Sequence, residues 1–176
     1  MRSVALGVLG LALLTAGCAT SEPVGQTFPV ATIGPATTVS PAVNQTRAAL
    51  VTALAQHQLV LSDTQTPVRP VESPMLAAAP RAVYQVVLPK DPDKGYIVVY
   101  EFQDGATAAA AAAEEQHYLE TGPGRIQSPQ GWVPVIRQVG LTVVLYGWLP
   151  GAALDPATPE IQPSLETVGV GFPVSG

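Results

Sequence analysis

Gly95-Tyr96-Ile97-Val98-Val99-Tyr100-Glu101-Phe102 is the stretch whose reading settles the fold class. It is dense in β-branched and aromatic residues, holds no proline, and has the length of one strand. Just before it, Arg81-Ala82-Val83-Tyr84-Gln85-Val86-Val87-Leu88 has the same character. Pro89-Lys90-Asp91-Pro92-Asp93-Lys94 between them has the composition of a hairpin loop. Just after it, Asp104 stands as N-cap to the alanine-rich stretch 106–113, which carries a helix to about Leu119. Gly122-Pro123-Gly124 ends that helix, and Trp132–Arg137 with Leu141–Trp148 predicts a second hairpin turned near Gly140.

Further out, Ser40-Pro41 supplies an N-cap and a first-turn proline. Val43, Arg47, Leu50, Leu54 and His57 then recur at three- and four-residue spacing, which predicts a helix to about Gln58. Leu59-Val60-Leu61 reads as a short strand. Pro67, Pro70, Pro74 and Pro80 make 63–80 an extended loop, and a short helix is expected over Pro159–Val168. The order helix, strand, hairpin, helix, hairpin predicts an α+β fold: a small antiparallel sheet of two hairpins with helices packed on one face. The folded domain is expected over 44–150, with 151–176 as a C-terminal tail holding the short helix.

Over roughly residues 45–150 the order and wording resemble a family of small uncharacterised bacterial lipoproteins and secreted proteins. The resemblance rests on Val99-Tyr100-Glu101-Phe102, the Ala-rich helix, Trp132-Val133-Pro134 and Leu141-Thr142-Val143-Val144-Leu145-Tyr146. It implies a fold and brings no catalytic residue.

The N-terminus carries an address. Met1-Arg2-Ser3 is followed by an apolar run of eleven residues, Val4–Leu14. A bilayer-spanning helix needs about twenty, so the run reads as the core of a secretory signal peptide. Leu14-Thr15-Ala16-Gly17-Cys18 then resembles the lipobox of bacterial lipoproteins. That resemblance implies removal of 1–17 and a diacylglycerol on the Cys18 sulfur, with membrane lipid as the partner. Residues 18–43 become the lipidated cysteine plus a disordered Ser/Thr/Pro-rich tether. Ala19, in place of Asp, implies the outer membrane if the cell is Gram-negative, facing the periplasm or the cell surface. An ordinary signal peptide with an incidental cysteine is the alternative.

Composition narrows the function classes. Of 176 residues 47% are apolar and only 12% charged, which excludes a charged disordered tail and a coiled coil. Eight basic against thirteen acidic side chains, a net charge of -5, argue against nucleic acid as a partner. The single cysteine excludes a disulfide framework and any multi-cysteine metal site.

Nor does a catalytic pattern emerge. His57 and His117 each fall near a helix end, and neither accompanies a nucleophile elbow, a zincin motif or a phosphate loop. Asp91 and Asp93 read as turn residues, and Glu114, Glu115 and Glu120 as a solvated helix face. No catalytic residue, metal or cofactor is therefore expected. The reading is a non-enzymatic envelope module that binds an envelope protein or a small ligand, through the open sheet face or the 121–131 loop. An envelope hydrolase using acidic residues and a structural assembly subunit are the alternatives.

One stripe offers a surface for binding. Alternation puts Tyr96, Val98, Tyr100 and Phe102 on one face of their strand, and Thr142, Val144, Tyr146 and Trp148 on one face of theirs. If these faces coincide, Tyr96, Tyr100, Tyr146 and Trp148 form an aromatic binding face opposite an aliphatic one. The same residues could instead be the core, which is the commoner role of aromatic strand residues.

Overall fold

Ser40 accepts the Val43 N–H at 3.2 Å through its hydroxyl, and Pro41 opens helix α1, Pro41–Ala55. The computed structural model describes residues 39–175. The expected signal peptide, Cys18 and the tether as far as residue 38 lie outside the described residues.

Six antiparallel strands form one open sheet: β1 Leu61–Asp63, β2 Arg81–Val86, β3 Tyr96–Glu101, β4 Val133–Val139, β5 Thr142–Trp148 and β6 Val170–Gly171. Their order across the sheet is β1-β2-β3-β5-β4-β6, so both expected hairpins are present. The other helices are α2 Pro74–Ala78, α3 Gly105–Thr121, α4 Pro123–Gln127 and α5 Ile161–Glu166. Asp104 caps α3 by accepting the Thr107 N–H at 2.7 Å. Gly140 takes a positive φ of 58° between β4 and β5, where the tight turn favours glycine.

The α+β class is as expected, but helices cover both faces of the sheet rather than one. On the first face, Leu50 and Leu54 of α1 and Ile161 and Leu165 of α5 pack on Tyr84, Ile97, Val99, Val144 and Tyr146. On the second, Ala108, Ala111, Ala112 and Leu119 of α3 and Leu76 of α2 pack on Val98, Tyr100, Val143 and Leu145. The reason lies in β3, where Ile97, Val98, Val99 and Tyr100 are all buried. A strand apolar on both sides must be covered on both sides.

The aromatic stripe is also corrected. Ile97 stands opposite Tyr146 and Val99 opposite Val144, while Val98 meets Leu145 and Tyr100 meets Val143. Tyr146 and Trp148 therefore share a face with Ile97 and Val99, and Tyr96 and Tyr100 lie on the other. A one-residue difference in register exchanges the two faces of a strand.

The segment after residue 150 is part of the domain and not a tail. Ile161 and Leu165 are fully buried, and β6 pairs with β4. Arg137 of β4 reaches across to donate to the carbonyls of Glu166, Val168 and Gly169 at 2.7, 2.7 and 2.9 Å. The last carbonyl of α5 and two in the turn after it are thus satisfied by one guanidinium.

Candidate functional site: an aromatic cavity at the end of the sheet

Where β3 begins and β5 ends, the sheet stops and a cavity of about 250 Å³ opens. Tyr96, Trp132, Tyr146 and Trp148 line it, joined by Val68 and Pro70 from the proline-rich loop. Gly147 makes the wall possible. A Cβ at Gly147 would overlap the Trp132 indole, so the ring lies directly on the strand backbone. Trp148 is held by its own indole N–H, which donates to Gln162 Oε1 of α5 at 3.1 Å.

Loops close the far side. Asp155 accepts the Lys90 and Ala157 N–H groups at 2.9 Å each, and Asp91 accepts the Leu154 N–H at 3.3 Å. The Lys90 and Ala157 N–H groups hold the Asp155 carboxyl below its ordinary range, and the bonds to Asp91 and Asp155 tie the β2–β3 loop to the segment carrying Ala152, Ala153 and Thr158. Asp91 is buried and serves this clasp, while Asp93 is exposed.

The cavity's chemistry is mostly apolar, with few polar groups. Tyr146 Oη and Thr158 Oγ1 are buried and have no hydrogen-bond partner among the described residues. Both oxygens have almost no accessible surface, so they sit behind the lining and do not face the cavity. Burial pushes the Tyr146 phenol above its ordinary range, so it stays a neutral donor near neutral pH. Lys94 is the cationic side chain of the lining.

Three of the four aromatic residues singled out in the sequence, Tyr96, Tyr146 and Trp148, meet here through the sheet end. Tyr100 does not: it is fully buried beneath α3, and its hydroxyl donates to Glu72 at 2.5 Å. Trp132 belongs to the site, although its sequence context marks it only as a strand residue; the signal was Gly147, a glycine amid large strand residues. Gly147→Ala is expected to dislodge the indole and lower stability by about 1–3 kcal/mol. A changed near-ultraviolet tryptophan dichroism would register the displacement, and an unaltered spectrum would contradict this packing.

The remaining candidates lie elsewhere. His57 Nδ1 lies 2.8 Å from Glu160 Oε2 on the surface at the end of α1, and His117 contacts Thr121 on the exposed side of α3. A second, more open groove beside β2 gathers Arg47, Arg69 and Arg81. Its arginines are already engaged: Arg47 with Asp63 at 3.0 Å, Arg81 with Glu72 at 2.9 Å and Arg69 with Glu72 at 3.4 Å. Glu115, expected on a solvated face, is instead fully buried. Set against known proteins, the chain matches no family model, no curated protein and no solved structure.

Proposed function

We propose that this is a lipid-anchored protein of the bacterial cell envelope that binds a small, flat, largely apolar ligand in the aromatic cavity without transforming it. The observation that carries the reading is the cavity itself: four aromatic side chains around a space of about 250 Å³. Apolar walls supply affinity by removing ligand surface from water, and a few polar groups supply orientation. The anchor rests on Leu14-Thr15-Ala16-Gly17-Cys18, and Ala19 favours the outer membrane in a Gram-negative cell.

Both tryptophans of the chain, Trp132 and Trp148, line the cavity, so their fluorescence reports on it. Titration with 2-naphthol, a flat probe with one hydroxyl, is expected to quench that fluorescence saturably. Quenching that stays linear, as for free tryptophan, would contradict the reading. The anchor has a separate check. Cells fed a labelled fatty acid are expected to label the wild type and to lose the label completely in Cys18→Ala, and label retained by the variant would refute attachment there.

A further inference from the structure

Glu115 is fully buried on α3, and its two oxygens differ. Oε2 accepts the Ser73 N–H at 2.6 Å. Among the described residues Oε1 has no partner, and neither does the Ser73 hydroxyl. The preceding residue, Glu114, accepts the Met75 N–H at 3.2 Å. Two consecutive glutamates of α3 thus hold the first N–H groups of α2, whose own N-cap, Ser73, makes no side-chain cap. The chain leading into this grip, 64–73, contains no helix or strand, and Ser73 is its one buried residue. This strap carries Val68 and Pro70 to the cavity wall.

Among the described residues no cation offsets a charge on Glu115. Its charged neighbours are Glu114 and Glu72, and Glu72 is occupied with Arg81, Arg69 and the Tyr100 hydroxyl. Arg125 of α4 donates to the Glu120 carbonyl, and Arg137 of β4 to the turn after α5. Burial therefore pushes the Glu115 carboxyl up to about 7; the N–H and side chain of Ser73 oppose this, and Glu72 and Glu114 add to it.

We propose that Glu115 is a proton-operated latch on the strap 64–73: neutral, it holds the strap closed along the cavity wall, and ionised, it lets the strap go. A neutral carboxyl puts no charge in the buried spot and still accepts the Ser73 N–H. An ionised one leaves a fully buried charge with two carboxylates for neighbours and only Ser73 for support, and the relief available is for the strap to lift and admit water. The cavity would then hold its ligand more tightly in mildly acidic than in alkaline medium. That consequence rests on the ligand-binding reading above; the latch itself does not.

Amide hydrogen exchange at Ser73 and Met75, in the mature full-length chain without any ligand, separates the two ideas. Wild type and Glu115→Gln are compared at each pH, which cancels the intrinsic pH dependence of exchange. Relative to the variant, wild-type exchange is expected to speed up about thirtyfold between pH 5.5 and pH 8, the factor set by a carboxyl that rises from 4.5 to about 7 when the strap is closed. A ratio unchanged between the two pH values overturns the latch whether or not 2-naphthol binds. A strap that loosens as expected while the probe fails to bind supports the latch and sinks only the ligand reading. Should the variant not fold, carboxyl ¹³C titration of wild type decides: a Glu115 midpoint near 7 supports the latch, and one in the ordinary carboxylate range overturns it.

Discussion

The stability advantage of Glu115→Gln over wild type is expected to grow by about 2–3 kcal/mol between pH 5 and pH 8. The sign follows from proton linkage. The carboxyl rises from an ordinary 4.5 to about 7 on folding, so between those values the folded chain holds a proton that the unfolded chain has released. The stability this proton provides is complete below about pH 4.5 and is lost as pH rises through about 7. Glutamine keeps the oxygen that accepts the Ser73 N–H and cannot ionise, so the loss is absent from the variant. Urea denaturation of both proteins across pH 5–8 measures the difference directly. Parallel curves, with a gap that does not grow toward alkaline pH, would refute the buried state of this carboxyl.

Leu165→Ala is expected to cost about 3 kcal/mol, within the range of fully buried leucine truncations. Leu165 is completely buried on α5, in the cluster that also holds Leu50 and Leu54 of α1 and Tyr146 of β5. Its removal deletes apolar contact and leaves a cavity that these rigid neighbours cannot fill. A variant within about 0.5 kcal/mol of wild type would mean that the segment after residue 150 is an appendage, as the sequence alone suggested.

The contrast between these two residues and the better-read parts of the chain has a physical basis. Ser40, Asp104 and Gly140 act on backbone groups within three residues of themselves, and each was legible from its neighbours. The pairing of Ile97 with Tyr146 joins strands separated by the whole of α3, and no local pattern chooses between two registers one residue apart. Glu114 and Glu115 look alike in sequence. Only the arrival of Ser73, 42 residues away, makes one of them a buried acid. Similarly, the aromatic residues were visible as candidates, but their meeting place was not a sheet face. It is the sheet's end, made by loops whose positions depend on Asp91 and Asp155 bonds between distant segments.

Gly147 lies between these extremes. A glycine in a strand of large residues signals a close approach, and here the approaching group is Trp132. The glycine therefore points to a site residue that a search for a shared aromatic face passes over.

The central claim is that a flat apolar ligand binds in the cavity lined by Trp132 and Trp148, and the two indole N–H signals of ¹⁵N-labelled protein test it most directly. With two tryptophans in the chain, the spectrum holds two such signals, and one donor is already fixed on Gln162. On adding 2-naphthol at pH 6, both signals are expected to shift along saturable curves with one shared midpoint, while the His57 and Glu160 amides stay in place. Indole signals that do not move, or a saturable response confined to amides away from the end of the sheet, would contradict it.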